Sequence, residues 1–393
     1  MDAFFVAVEV GDDPTLANRP VVVGGAGPRG VVAAASYEAR AFGVSSAMPS
    51  ASARRLCPHA VFLPGRHARY REVSAELHAI LVEVTPLVEG VSLDEAFLDV
   101  TGALRRLGDR RSIAVALRER VQGQLGLWCS VGVAPRKLTA KLASEAAKPR
   151  ASRQGVRRGS GVVVVEPGEE LGFLHAHPVE ALWGVGPVTL ARLQRRGVRT
   201  IGDVAALPEA ALVGVVGAAL GRSLHARSWA LTDDPVVPDA QPRSVSHEET
   251  FAVDHRDRSV LDREVLRLAD GVAGRLRRAG LAGRRVQLKV RFADFRTITR
   301  SATCPEPMDD AATLAQVGRE LLASVDVTPG VRLLGVGVSQ LSDGSCIQLR
   351  LDDGGRAART RAGAAIEEVR RRFGDAAIGP ASLVAGGQRS DQR

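Results

Sequence analysis

Over its first 166 residues the chain mixes short apolar blocks with longer helical patterns. Residues 4–8 form an unbroken apolar run and predict a buried strand; 20–24 and 31–35 predict two more. Apolar positions three and four apart predict helices over 49–56, 68–84 and 113–124. Another is predicted over 139–147, stopping before Pro149. Residues 91–100 and 129–133 have strand character; so do 162–166, after a polar, basic stretch at 151–161. Strands and helices do not alternate here as they would in a doubly wound fold.

From 167 to 231 the pattern is helical. Residues 232–243 carry Pro235, Pro238 and Pro242, a density that makes an extended, semi-rigid linker. Beyond it, strands are predicted over 244–253, 284–294, 297–303 and 331–340, with helices over 259–279 and 309–324. A strand-helix-strand unit thus occurs twice, in the split βαβ manner. The tail from Asp352 is polar except for an amphipathic stretch at 364–373. The fold class is mixed α/β (α+β), in several domains.

Composition narrows the function. With 45% hydrophobic and 25% charged residues, the 393-residue chain can bury cores, which excludes a disordered or collagen-like protein. The 53 Lys+Arg outweigh the 44 Asp+Glu, for a net charge of +9. Such a surplus suits a polyanionic partner, nucleic acid or an anionic membrane surface, unless it reflects codon bias alone. Only Lys137, Lys141, Lys148 and Lys289 are lysines; arginine supplies every other cation, as in a GC-rich genome. Cys57, Cys129, Cys304 and Cys346 have neither metal-ligand nor disulfide spacing, which fits a reducing interior. No apolar run reaches the roughly 18 residues of a membrane span, and no basic region opens a signal peptide. A cytoplasmic monomer is expected.

Three motifs carry candidate chemistry. In Ser92-Leu93-Asp94-Glu95-Ala96-Phe97-Leu98-Asp99, adjacent carboxylates interrupt an apolar strand. Neighbours on a strand point to opposite faces, so both reach one metal only at a turn or strand end. Hard oxygen donors of this kind hold Mg²⁺; the bland alternative is a solvated turn. In Ser36-Tyr37-Glu38-Ala39-Arg40, a helix starting at Ser36 puts Tyr37 and Arg40 on one face, able to bond phosphate oxygens. Lys137, Lys141 and Lys148 recur at i, i+4 and i+11, a stripe that binds phosphate or is merely solvated.

Two further patterns suit nucleic acid. Leu182-Trp183-Gly184-Val185-Gly186-Pro187 predicts a tight hairpin between short helices, its amides free for a phosphate, with Arg192, Arg195 and Arg196 following. Gly197 closes the second helix. Val286, Leu288, Val290 and Phe292 alternate with Arg285, Gln287, Lys289 and Arg291, so one strand face is apolar and the other basic. Arg296 and Arg300 are expected to extend the basic face if residues 297–303 pair as a hairpin.

Phe4-Phe5, Ser-Tyr-Glu-Ala-Arg, Ser-Leu-Asp-Glu-Ala, Val-Gly-Val-Ala, Ala-Lys-Leu-Ala-Ser and Ala-Lys-Pro, in that order, resemble the Y-family translesion DNA polymerases, nearest the DNA polymerase IV branch. The likeness runs from Met1 to about Gln340. It implies a right-hand fold: palm 1–166 with fingers inserted at about 10–66, a helix-hairpin-helix thumb at 167–231, the linker 232–243, a βαββαβ little finger at 244–345 and a tail at 346–393. It implies low-fidelity synthesis without proofreading on primer-template DNA, from deoxynucleoside triphosphates and two Mg²⁺. It makes Asp94 a metal ligand with Glu95 its catalytic neighbour, and gives Tyr37, Arg40 and Lys148 to the triphosphate. Phe5 resembles the steric gate that excludes a 2′-hydroxyl. Gly184, Gly186, Arg285, Lys289, Arg291, Arg296 and Arg300 are the expected DNA contacts.

The chain departs from the family in three places. The family's aspartate just before the position of Met1 is not in this sequence, and Asp2 matches a second aspartate that is not the usual ligand. This raises two alternatives: a catalytically impaired DNA- and clamp-binding paralogue, or a gene start set too late. Ala34 stands where many relatives carry a hydroxyl. Gln348-Leu349-Arg350-Leu351 resembles a worn sliding-clamp-binding peptide, with Asp352 where an aromatic is expected.

Overall fold

In the computed structural model the apolar run at the start is a helix, α1 (Phe4–Asp12), not a strand. The structure describes residues 1–232, 234–238, 240–344, 356–374 and 377–384, without the side chains of 356–360 and 384. Period alone does not separate a short apolar strand from a buried helix. Glu9 decides the matter. It is 7% exposed, and a buried carboxylate needs partners. Helical spacing puts Phe5 and Glu9 on one face. There Glu9 accepts from Tyr70 Oη at 2.6 Å and from Arg66 Nε at 2.9 Å.

Two compact units divide the chain, Met1–Ala240 and Gln241–Arg393. In the first, α1 is followed by β1 (Val21–Gly24), β2 (Val32–Ala35), α2 (Tyr37–Ala41), α3 (Ser50–Leu56), β3 (Val61–Leu63), α4 (His67–Val84), β4 (Val88–Gly90) and β5 (Ala96–Leu98). Then come α5 (Leu104–Leu107), α6 (Arg110–Leu125), β6 (Val131–Val133), α7 (Lys137–Ala147), β7 (Arg150–Ser152), β8 (Gly155–Arg157) and β9 (Val162–Val164). Five short helices close the unit: α8 (Glu170–His175), α9 (Pro187–Gln194), α10 (Ile201–Ala206), α11 (Glu209–Val216) and α12 (Ala218–Ser228). β1 pairs antiparallel with β2 and parallel with β3. β4–β5 and β7–β8 are antiparallel pairs, and β6–β9 is a parallel one. Two expectations change. The strand predicted over 91–100 is a turn leading into the three residues of β5, and the polar stretch after Pro149 holds the β7–β8 hairpin.

The second unit runs β10 (Ser244–His255), α13 (Arg258–Arg278), β11 (Leu281–Phe292), β12 (Thr297–Met308), α14 (Ala311–Ala323) and β13 (Val331–Asp343). Its sheet order is β10-β13-β11-β12 with every neighbouring pair antiparallel, so each strand-helix-strand unit brackets a third strand. Val286, Leu288, Val290 and Phe292 are at most 1% exposed, and pack with Leu261, Val265 and Leu268 of α13. Full burial of each such side chain stabilises by about 1.5–3 kcal/mol. The amphipathic tail is a longer helix than its pattern suggested, α15 (Arg356–Phe373), followed by α16 (Ala381–Val384). α15 lies on α13, with Arg370 paired to Asp270 at 2.7 Å and Glu367 to Arg277 at 3.1 Å.

Candidate active site

Asp94 and Glu95 sit in the turn between β4 and β5, the arrangement the sequence required for two adjacent acids to serve one site. The Val91 and Ser92 amides both donate to Glu95 O, at 2.8 and 3.2 Å, which tightens the turn. Asp94 Oδ1 accepts from Ser92 Oγ at 2.9 Å; its Oδ2 lies 3.8 Å from the Met1 amino group. Glu95 Oε1 pairs with Lys141. The two carboxylates are about a third exposed and line a cleft of about 630 Å³ together with Lys141 and Ser144. Among the described residues no cluster of three or more His, Cys, Asp or Glu could hold a metal. Mg²⁺, however, takes one or two carboxylates and fills its other positions with substrate phosphates and water. The pair therefore suits a Mg²⁺ ion that binds with a phosphorylated substrate.

Phe5 is half-buried and lies flat on Tyr70, centroids 4.3 Å apart and planes 14° apart. His67 meets its edge at 5.8 Å. Tyr70 is fully buried and tied to Glu9, so the Phe5 ring has a fixed backing. Burial, followed by the Glu9 bond, pushes the Tyr70 hydroxyl up to about 12.

The α2 motif forms as its sequence suggests. Ser36 Oγ caps the helix through the Ala39 amide at 3.1 Å, and the Arg40 guanidinium lies 4.7 Å from the centre of the Tyr37 ring. The Tyr37 hydroxyl is buried with no hydrogen-bond partner among the described residues. Burial and then the charge of Asp2 raise it to about 12. Asp2 is itself raised by burial, against a hydrogen bond from Ser130 Oγ at 2.9 Å and the nearby charges of Met1 and Lys148. Asp2 thus links Tyr37 and Lys148 electrostatically. Lys148 leaves the stripe drawn from its spacing: it is the extended residue capping α7, because Pro149 disfavours helix before it. Every one of the three clustered lysines is paired, Lys137 with Glu89 and Lys148 with Glu145 at 2.6 Å each, Lys141 with Glu95.

The Gly184–Gly186 hairpin has the backbone its sequence called for. Gly184 is at φ 99°, and Pro187 is the first residue of α9. In the second unit, Arg285, Gln287, Lys289 and Arg291 share the face away from the helices, opposite Thr303, Ser301, Thr299 and Thr297. Lys289 pairs with Glu248 at 2.7 Å. Glu248 reaches it across Gly335, where a Cβ would stand 2.7 Å from Glu248 Cγ.

Residues 1–145 match the impB/mucB/samB family, and residues 242–351 match the C-terminal domain of that family. DNA polymerase IV of Streptomyces coelicolor is 48% identical over 345 residues, covering 87% of this chain and 70% of its own. DNA polymerase IV of Desulfatibacillum aliphaticivorans is 41% identical over 393 residues, covering 98% of this chain and 95% of its own. The chain belongs to the Y-family DNA polymerases, in the DNA polymerase IV branch. It is a DNA-directed DNA polymerase. Its fold is shared with the Y-family chimera Dbh-Dpo4(243-245)-Dbh, with a TM-score of 0.75 at 24% identity over 86% of this chain and 96% of that one. The insertion ternary complex of Dbh DNA polymerase gives 0.62 over the same shares.

Two expected DNA contacts do not lie where the sequence put them. Arg300 is opposite Leu288, and the Phe292 amide bonds Arg296 O, so both arginines share the apolar side of the β11–β12 ribbon. Arg296 covers the Phe292 ring at 4.5 Å. The turn at Asp294-Phe295 sets a register one residue off, and a one-residue shift moves a side chain to the other face. The sliding-clamp peptide, Gln348 to Leu351, lies outside the described residues. Sequence reading missed Tyr70 and Glu248, and named Asp2 without giving it a part in the site. The first had a signal: the chain has only two tyrosines, and both stand in this site.

Proposed function

We propose that the chain performs template-directed, low-fidelity DNA synthesis in translesion bypass, on primer-template DNA with deoxynucleoside triphosphates and without proofreading. The observation that carries this reading is the partly exposed Asp94-Glu95 turn, in the same unit as the backed Phe5 ring and the Tyr37 hydroxyl, which has no partner among the described residues. Asp94 would be a Mg²⁺ ligand with Glu95 beside it, in a site that takes two such ions. When bound, these ions lower the pKa of the primer hydroxyl and neutralise charge on the triphosphate. The primer 3′-oxygen bonds to the α-phosphorus as its proton passes to solvent water, and pyrophosphate departs with the electrons of the broken P–O bond.

The chain's own groups hold and select the nucleotide. Tyr37 Oη, Arg40 and Lys148 bond phosphate oxygens, and Lys148 exchanges Glu145 for the substrate. Phe5, immobile against Tyr70, fills the space a 2′-hydroxyl would need. Gly184, Gly186, Arg285, Lys289 and Arg291 hold DNA phosphates, which positions the duplex without reading bases. In this reading 1–166 is palm with fingers at about 10–66, 167–231 thumb, 232–243 linker, 244–345 little finger and 346–393 tail. The non-catalytic alternative is not favoured, since relatives named as polymerases match nearly the whole chain. Single-turnover extension of primed DNA with Mg²⁺ tests the proposal. The chain should extend, and Asp94→Ala should lower the rate at least 100-fold while DNA affinity changes little. Extension by Asp94→Ala at the parent rate would overturn the assignment.

A further inference from the structure

The β7–β8 hairpin concentrates cations that have no neutralising partner among the described residues. Arg150 faces Arg157 directly across the two strands, Arg153 is in the turn, and Arg158 follows. All four are exposed, and none has an ion pair or a side-chain hydrogen bond among the described residues. Like charges directly opposite on a strand pair destabilise it, and no carboxylate among the described residues pairs with them. Elsewhere in the chain the clustered lysines each have a glutamate.

The hairpin is firmly rooted. At its base the Gly161 amide donates to Ala147 O at 3.1 Å. Gly159 lies so close that a Cβ there would stand 2.0 Å from Ala147 O and 2.5 Å from the Lys148 carbonyl carbon. Only glycine permits that approach, so the two ends of the hairpin are clamped together beside Lys148. Both strands pack against α2, the helix of Tyr37 and Arg40. The four arginines are therefore carried on a short ribbon that follows Lys148 in the chain and packs on α2, the helix whose Tyr37 hydroxyl is buried without a partner among the described residues.

We infer that the β7–β8 hairpin is a second polyphosphate-binding element, whose Arg150–Arg157 pair engages the phosphate tail of the incoming nucleotide. An anion between the two guanidiniums removes their repulsion and gains bidentate hydrogen bonds. The inference rests on the triphosphate reading of Tyr37, Arg40 and Lys148. DNA phosphates share this chemistry, and the experiment separates the two sources.

The double variant Arg150→Gln/Arg157→Gln is compared with the parent in three measurements. First, inorganic tripolyphosphate should raise the melting temperature of the parent, and at least half of that shift should disappear in the variant. Second, primed-DNA affinity without nucleotide, titrated against salt, should agree between the two within twofold. Third, single-turnover extension should show the apparent Kd for deoxynucleotide rising about 5–20-fold, with the maximal rate within threefold. Because repulsion is removed, the unliganded variant should melt no lower than the parent; a lower melt would overturn the argument from unpaired charge. Equal tripolyphosphate shifts would overturn the polyphosphate site. A loss of DNA affinity with the tripolyphosphate shift intact would assign the hairpin to DNA and overturn the inference. Tripolyphosphate binding is read without catalysis, so failure of the parent to extend primers would count against the proposed function alone.

Discussion

Phe5 owes its position to residues that touch no substrate in the proposed site. Its ring lies on Tyr70, whose hydroxyl is held by Glu9, which is bridged in turn by Arg66. Phe5→Ala should admit ribonucleotides, lowering discrimination against them at least 100-fold in single-turnover incorporation. Tyr70→Phe keeps the stacking surface but takes a donor from a buried carboxylate. It should cost about 1.5–3 kcal/mol in urea unfolding. It should also relax sugar discrimination by a smaller factor than Phe5→Ala; unchanged discrimination would mean that the ring needs no fixed backing. The carboxylate pair and the Tyr37/Arg40 pair were legible because each is a local signal, a charge in an apolar strand or a helical spacing. Tyr70 was not, because its meaning comes from a contact with a residue 65 positions away in the chain.

At the scale of elements, the outer face of the β10-β13-β11-β12 sheet is less basic than its alternating sequence suggests. Glu248 crosses Gly335 to neutralise Lys289, while among the described residues Arg285 and Arg291 bond only the Ser301 and Thr297 hydroxyls. Glu248→Gln should tighten primer-template binding and steepen its dependence on salt by about one ion. Neutralising Arg285, Lys289 and Arg291 together should weaken binding and flatten that dependence. Fluorescence anisotropy across a salt series checks both, and an unaltered slope in either would remove the face from the DNA interface. The strands themselves were legible, since alternation over eight or more residues is strong. The register of the β11–β12 ribbon was not, because it depends on the geometry of one turn, and so Arg296 and Arg300 were placed on the wrong side.

On the opposite face of that sheet, His247 packs under α13 against Gly271, with Nδ1 buried and unpartnered among the described residues. Burial first, then the charges of Arg275 and Arg267, hold it below its ordinary value, and Glu249 only partly opposes them. The unfolded chain then takes up a proton more readily than the native one. The contribution to stability is complete above the unfolded value, about pH 6.5, and is lost as pH falls through the folded value. The urea midpoint should therefore drop between pH 7.5 and pH 5, and His247→Gln should drop less. Equal drops would show that the imidazole is already protonated in the native fold.

Taken whole, the molecule is two units whose boundary was visible as a run of prolines, and whose tail was visible only as a weak amphipathic stretch. α15 completes the second unit through Arg370, whose side chain is 8% exposed and sits 2.7 Å from Asp270. Arg370→Ala should lower stability by about 2 kcal/mol, read in urea unfolding. A neutral result would make the tail an appendage.

The scarcity of lysine has a practical side. All four side-chain amines in the chain are paired with glutamates: Lys137 and Lys141 line the cleft of the proposed catalytic turn, Lys148 caps α7 and Lys289 lies on the proposed DNA face. The protein therefore carries its own sparse set of chemical reporters. An amine-reactive footprint would contain four side-chain signals instead of dozens. Loss of signal at Lys148 would mark nucleotide arrival and loss at Lys289 would mark DNA arrival, each read by mass spectrometry from a single peptide without any engineered label.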